Sequence, residues 1–396
     1  MSWCSEIRFS SVSQLVRHNA PAHNPNNSVL EIVFIKNDTA ATYSVNCSSS
    51  LIQHRENRNV ASQMEDRYGH RISYLRVSIT DRCNERCNYC MPRELQEWLP
   101  REEILSYEET LRLIRIAAGL GVTKVRVTGG EPLVRRNVID FVSEIPKIPG
   151  IMSLGISTNG TLLTHETAPG QTMADALRGA GLQSINISLD TLDRHLYSQI
   201  TGRDLHAQVL EGIDAARTAG FDQIKLNSVL MRGRNEDQLI PLIDFAAERN
   251  LILRFIELMP VSTTEVLSDE NFLPIAEAKR TIEKRFGNLI PETSFRTNGP
   301  ATYYQIPGRE QRLGFIGATT NLHFCENCNK LRLTCDGKLR PCLGSYLEFD
   351  IMKPLRAGAS DDELCQFFID VVDRKPEQHD FRNNYQPDRK MIAIGG

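Results

Sequence analysis

Residues 74–90 read YLRVSITDRCNERCNYC, an alternating strand that runs straight into three closely spaced cysteines. Side chains of a strand alternate between its two faces. Leu75, Val77 and Ile79 therefore point one way, and Arg76, Ser78 and Thr80 the other. The same sorting recurs downstream: Val125 and Val127 oppose Lys124, Arg126 and Thr128; Ile185, Ile187 and Leu189 oppose Asn186, Ser188 and Asp190; Ile224 and Leu226 oppose Lys225 and Asn227. Each strand has one apolar face, suited to helices, and one polar face.

Six such runs, at 74–80, 123–128, 152–158, 184–190, 223–231 and 251–259, alternate with helix-like segments. That order predicts parallel βα units. Helix punctuation supports it: Ser106 and Glu109 fit a capping box, and Gly121, Gly181 and Gly220 stand where helices should stop. A closed barrel fills its interior with branched apolar residues. A polar inner face instead predicts an α/β fold of the incomplete, six-stranded (βα)6 TIM-type barrel kind, with a ligand in its lumen. The competing explanation, a solvated sheet face, suits antiparallel sheets better than parallel ones. After Pro260 the pattern loosens, a helix is expected over 275–286, and Gly/Pro-rich sequence leads to a second cysteine group. Three regions follow: a Ser- and Asn-rich leader, 1–70, without sustained periodicity and expected to be disordered; the barrel, 71–262; and a C-terminal extension, 263–396, that carries the second group.

The chain has 396 residues, a formal charge of −3 and a hydrophobic fraction of 41%. It lacks the excess of positive charge that coats nucleic acid, so an anionic ligand must be met by locally placed cations. No run approaches the ~18 apolar residues of a membrane helix. A cytoplasmic location is expected. A mitochondrial transit leader, with the matrix as destination, is the competing explanation, weakened by Glu6, Glu31 and Asp38.

Seven of the ten cysteines fall in two groups, Cys83 to Cys90 and Cys325 to Cys342. Cys83, Cys87 and Cys90 supply three thiolates and no fourth, whereas a structural zinc site takes four protein ligands. Three thiolates on an iron-sulfur cube leave one iron open to a small molecule. Buried cysteines packed as small hydrophobes would not be expected beside Asn84, Glu85, Arg86 and Asn88. Cys325, Cys328 and Cys342, the last two separated by thirteen residues, form a second trio. With Cys335 counted, that segment also fits a four-cysteine zinc site.

The C-x3-C-x2-C spacing after the first strand resembles the radical S-adenosylmethionine superfamily, and Gly129-Gly130-Glu131-Pro132 after the second strand strengthens the likeness. Thr80 to Cys83, Arg126 to Leu133, Arg254 to Met259, Cys325 to Arg332, Gly337 to Leu343 and the terminal Gly395-Gly396 resemble the GTP 3',8-cyclase family of molybdenum cofactor biosynthesis, from about Arg71 onward. The resemblance implies two 4Fe-4S clusters, one on Cys83, Cys87 and Cys90 that also chelates S-adenosylmethionine, and one on Cys325, Cys328 and Cys342 that contacts guanine, with Cys335 a bystander. It implies S-adenosylmethionine contacts at Tyr89, Gly130, Ser188 and Met259. GTP contacts are implied at Arg76, Arg126, Ser157, Lys225, Lys330, Leu331 and Arg332, with Arg254 on a phosphate. Ser157 and Lys330 stand where the family pattern has threonine and arginine.

The implied reaction is abstraction of the C3' hydrogen of GTP by a 5'-deoxyadenosyl radical, followed by ring closure onto C8. The resemblance also implies a homodimer, an external electron donor, a downstream cyclic pyranopterin monophosphate synthase, and a Gly395-Gly396 tail that reaches the lumen. Internal carboxylates such as Asp190 or Glu257 are the competing partners for the cations, and a peptide-modifying radical enzyme or a non-catalytic zinc or iron-sulfur module are the competing functions.

Overall fold

Branched apolar residues at alternate positions favour extended backbone, and all six expected strands form: β1 (Tyr74–Ser78), β2 (Lys124–Thr128), β3 (Ser153–Thr158), β4 (Ser184–Ser188), β5 (Gln223–Leu230) and β6 (Ile252–Glu257). They pair in that order and all in parallel. Between them run α1 (Tyr107–Gly119), α2 (Val138–Glu144), α3 (Met173–Gly179), α4 (Arg194–Thr201), α5 (His206–Thr218) and α6 (Leu239–Glu248). In this computed structural model the described residues are 64–92, 97–262, 268, 270–295, 297, 299–383, 385–386 and 389–395, with two leader strands at 27–36 and 39–48.

The apolar face behaves as the alternation predicts. Leu75, Val77, Val125, Val127, Ile185, Ile187 and Leu226 are fully buried in one core with Leu113, Val142, Leu177, Ile213 and Ile243 from the helices. Each such side chain contributes about 1.5–3 kcal/mol by leaving water. The capping box closes α1, with the Glu109 N–H donating to Ser106 Oγ at 3.1 Å and the Ser106 N–H donating to Glu109 Oε2 at 2.7 Å.

Beyond the barrel come α7 (Ile275–Phe286), β7 (Ile290–Pro291), β8 (Thr302–Gln305), β9 (Arg312–Ile316), β10 (Lys330–Leu333), β11 (Lys338–Arg340), β12 (Phe349–Asp350), α8 (Met352–Arg356), α9 (Asp361–Asp373) and α10 (Met391–Ile394). This region is not a separate body. β9 adds in parallel to β6, and β10 adds in parallel to β1, giving one sheet in the order β7-β8-β9-β6-β5-β4-β3-β2-β1-β10-β11-β12. An open barrel has two edges with unpaired backbone groups; the C-terminal region covers both. The expected boundary at 262/263 is therefore a boundary in sequence only.

The leader departs from expectation in two ways. The chain forms two compact units, Met1–Ser62 and Gln63–Gly396, so 64–70 belong with the barrel: Met64 is buried, and its N–H donates to the Leu120 carbonyl at 3.1 Å. Within the first unit, Asn27–Lys36 pairs antiparallel with Thr39–Ser48, where disorder was expected. The Val-, Ile- and Thr-rich composition of these strands suits extended backbone. Among the described residues no helix is long and apolar enough to cross a membrane.

Candidate active site

Cys83, Cys87 and Cys90 lie in the loop after β1, at the C-terminal end of the barrel strands, and are free and half-buried. The loop is tied on several sides. The Arg86 and Asn88 N–H groups donate to the Thr201 and Ile200 carbonyls, Ser262 Oγ to the Cys90 carbonyl, and Asn159 Nδ2 to Asn84 Oδ1 at 2.8 Å. Gly129 and Gly130 serve this packing. A Cβ on Gly129 would lie 2.6 Å from the Thr80 carbonyl oxygen, and one on Gly130 would strike that of Arg82. The close approach that glycine permits is thus first to the cysteine loop itself, where the sequence suggested a ligand. Glu131 continues the brace: it is buried and accepts from Leu133 N, Thr158 Oγ1 and Asn159 N. Burial pushes its carboxyl up to about 7 against those bonds.

The four residues expected at S-adenosylmethionine all occupy this end of the barrel. Tyr89 donates from its hydroxyl to Asp190 Oδ2 at 2.7 Å. Gly130 follows β2, Ser188 is exposed at the end of β4, and Met259 follows β6 in a small apolar cluster with Val261, Phe381, Tyr385 and Met391.

The lumen between the strands is lined with cations. Arg332 of β10, Arg76 of β1 and Arg126 of β2 stand in one cross-strand row, and the next position, on β3, is Gly155. A Cβ there would lie 2.6 Å from both Arg126 Nη2 and Ser184 Oγ, so the glycine is the space the guanidinium fills. Arg126 is held on three sides, donating to the Tyr74 hydroxyl at 2.8 Å, the Ile156 carbonyl at 2.7 Å and Ser184 Oγ at 3.1 Å. Arg254 donates to Asn227 Oδ1 at 2.9 Å, and Lys225 to Gln223 Oε1 at 2.5 Å. Asn186 Nδ2 donates to Ser157 Oγ at 3.4 Å. Leu331 is the exception among the expected GTP residues: strand alternation turns its side chain into the apolar core, fully buried, while Lys330 and Arg332 face the other way.

Crowding of like charge shows in the titration of these groups. Burial and then Arg254, Arg126 and Lys124 bring Lys225 down to about 6. Burial, then Arg76, brings Arg332 down to about 9, and burial lowers Lys124, Lys330 and, to about 10, Arg254. Burial alone would raise the Tyr74 phenol, but Arg126, Arg76, Lys124 and Lys330 surround it and hold it at about 7. Among the described residues no carboxylate forms an ion pair with Lys124, Arg126, Lys225, Arg254, Lys330 or Arg332. The carboxylates weighed as internal partners are engaged elsewhere: Asp190 accepts from Tyr89 and Val229 N, and Glu257 from Ile275 N, Thr319 N and Thr320. Tyr74 is one ionisable phenol among several cations that outnumber it, and burying the excess of positive charge is costly, which favours an anion in the lumen.

Cys325 and Cys328 precede β10, and Cys342 follows β11. Because Lys330 pairs with Tyr74 at the start of β1, the second trio lies at the N-terminal end of the strands, opposite the first. The two ends of β1 are roughly 13 Å apart at the usual rise per residue, and the arginine row lies between them. Cys328 is lowered despite its burial, by Lys375 and Lys330, whereas burial raises Cys325 and, to about 11, Cys342. Cys335 is fully buried, and its neighbours are Asp336, Asp81 and Ser78, near the first trio's end of β1. It therefore does not complete a four-cysteine set. A cube takes each thiolate on a different iron, a donor set that each trio of free cysteines matches, whereas a structural zinc site takes four protein ligands.

The tail enters the lumen from the first trio's end. Met391 Sδ lies 3.6 Å from Cys90 Sγ, and Arg332 Nη1 donates to the Gly395 carbonyl at 2.8 Å. Gly395 is buried, and a Cβ on it would lie 2.8 Å from Thr128 Cγ2. Gly396 is outside the described residues. Tyr74, Lys124, Asn227 and Lys375 were absent from the expected site residues. Strand parity had placed Lys124 and Asn227 on the polar face without naming them as ligands, and parity with Arg76 would have added Tyr74; nothing in the sequence pattern marks Lys375.

Residues 77–246 match the radical SAM superfamily, and residues 251–381 match Molybdenum Cofactor Synthesis C. The GTP 3',8-cyclase of Moorella thermoacetica is 44% identical over 333 residues, 84% of this chain and 100% of that one. The GTP 3',8-cyclase of Thermodesulfovibrio yellowstonii is 43% identical over 334 residues, 84% and 100%. Among solved structures, Streptococcus suis SuiB bound to S-adenosylmethionine has a TM-score of 0.53 at 16% identity, covering 81% of this chain and 77% of that one. Native anSMEcpe with bound AdoMet has a TM-score of 0.50 at 13% identity, covering 78% and 82%. These structures share the fold.

Proposed function

From the premise that the chain belongs to the GTP 3',8-cyclase family of the radical S-adenosylmethionine superfamily, we propose that its lumen binds GTP between two three-cysteine clusters and cyclises it. The product is (8S)-3',8-cyclo-7,8-dihydroguanosine 5'-triphosphate, at the first step of molybdenum cofactor biosynthesis. Cys83, Cys87 and Cys90 would hold the cluster that binds S-adenosylmethionine, and Cys325, Cys328 and Cys342 a second cluster beside guanine. When bound, the first cluster would supply the electron that opens S-adenosylmethionine to a 5'-deoxyadenosyl radical; with the C3' hydrogen taken by that radical and C3' joined to C8, one further electron from the external donor and a proton would be needed to give the dihydro product.

The chain's own residues do the positioning, which dominates such chemistry. Arg76, Arg332, Lys225 and Arg254 would meet the triphosphate through charge-assisted hydrogen bonds of roughly 1.5–3 kcal/mol each, while Arg126 and Ser157 support them from the strand floor. Lys330 would contribute charge without the planar fork of an arginine. Tyr89, Gly130, Ser188 and Met259 would place S-adenosylmethionine at the first cluster. Gly395 and Gly396 would close the lumen over the substrate and keep water from it. A homodimer, an external electron donor and a downstream cyclic pyranopterin monophosphate synthase complete the proposal.

The observation that carries it is the row of Arg332, Arg76 and Arg126 between two cysteine trios at opposite ends of one strand pair. Anaerobic reconstitution tests it: iron for two cubes per chain, and GTP-dependent 5'-deoxyadenosine with the cyclised nucleotide in the presence of dithionite. Replacing Cys87 by Ala should halve the iron and abolish 5'-deoxyadenosine. Replacing Cys342 by Ala should halve the iron yet leave S-adenosylmethionine binding. One cube in the unmodified protein, or zinc at the second trio, would refute the proposed site.

A further inference from the structure

We propose that Lys375 is the fixed counter-charge of the second cysteine trio, a positioning residue that locks the segments bearing Cys328 and Cys342 together and raises the reduction potential of the cluster they hold. The inference rests on the proposed assignment of Cys325, Cys328 and Cys342 to a 4Fe-4S cluster.

Lys375 follows α9 and is only 4% exposed. Its Nζ donates to the Pro341 carbonyl at 2.5 Å and the Lys330 carbonyl at 3.4 Å. Pro341 immediately precedes Cys342, and Lys330 comes two residues after Cys328. One ammonium therefore ties the entry of β10 to the exit of β11. It also touches the Cys328 thiol and acts at longer range on Cys325 and Cys342. Among the described residues no carboxylate pairs with it. Two carbonyls satisfy some of its donors but do not balance its charge, and a buried ammonium without an anion is strongly disfavoured. Three thiolates on an oxidised cube leave net negative charge, and one-electron reduction adds more. A cation at this distance in a poorly solvated site favours the reduced state.

The test compares the reconstituted protein with Lys375→Met and Lys375→Arg, reading iron content and the midpoint potential of each cluster by EPR-monitored titration. The Lys375→Met protein should keep the first cluster's midpoint and show a second midpoint shifted to lower potential, with Lys375→Arg close to the unmodified value. If Lys375→Met instead loses the second cube, retention of both cubes by Lys375→Arg supports the proposal, and loss in both variants overturns it. An unchanged second midpoint in Lys375→Met, or equal shifts in Met and Arg, also overturns it. A single cube in the unmodified protein overturns the underlying assignment as well, a result distinct from either variant outcome.

Discussion

Lys225 sits where an ammonium is poorly tolerated: it is buried, and with Arg254, Arg126 and Lys124 nearby its pKa falls to about 6. In the free protein at pH 8 it is mostly neutral, and Tyr74, held at about 7, is mostly phenolate. A bound triphosphate raises both values, so GTP binding should take up protons at pH 8, and affinity should fall as pH rises from 6.5 to 8.5. Calorimetry in two buffers of different ionisation enthalpy reads this; no net uptake would contradict the assignment of Lys225 to the phosphate-binding wall. Stability responds to pH in the opposite sense, rising as pH rises. The unfolded chain binds more protons at Lys225 than the folded one between about 6 and the reference value of about 10.4. The resulting penalty is absent above that range and grows as pH falls toward 6. Gly155 is the other decisive residue. In Gly155→Ala the new methyl must displace Arg126 or Ser184, which should lower stability by about 1–3 kcal/mol and weaken GTP binding, read by thermal melting and equilibrium titration.

Among elements, the strands β1 to β6 were legible because a two-residue period separates their faces and glycine or a cap ends the intervening helices. β9 and β10 were not: they lie beyond the βα alternation, in Gly- and Cys-rich sequence, and what makes them strands is the unpaired edge each meets. The resemblance implied a Gly395-Gly396 tail that reaches the lumen, but no helix was read before it. Its placement comes from Met391 against Cys90 and the Gly395 carbonyl on Arg332. Deleting residues 391–396 should leave iron loading and S-adenosylmethionine binding intact while reducing GTP turnover by tenfold or more, about 1.4 kcal/mol in barrier per tenfold. Full turnover in the truncated protein would remove the tail from the mechanism.

At the scale of the molecule, a barrel of six parallel strands and its C-terminal extension are one sheet. A fragment of residues 63–262 should expose two parallel edges and aggregate on expression; a soluble, monomeric fragment with native-like circular dichroism would show that β9 and β10 are dispensable for folding. The lumen's uncompensated charge also predicts that GTP stabilises the whole unit, by about 2.7 kcal/mol at a concentration of 100 times Kd, visible as a rise in Tm.

The six strands, their polar and apolar faces, the first cysteine trio and the cations on the polar face are legible along the chain, because they depend on periodicity and spacing within short stretches. It took the folded chain to show that the second trio stands at the opposite end of β1, that Leu331 turns into the core, that Cys335, a bystander by resemblance, lies near Asp81 and Ser78 away from that trio, and that Lys375 reaches the trio. The first three facts depend on which distant segment pairs with which edge, and backbone pairing between strands such as β1 and β10 has no local signature; the reach of Lys375 depends on where the end of α9 packs, its side chain bonding carbonyls 45 and 34 positions away.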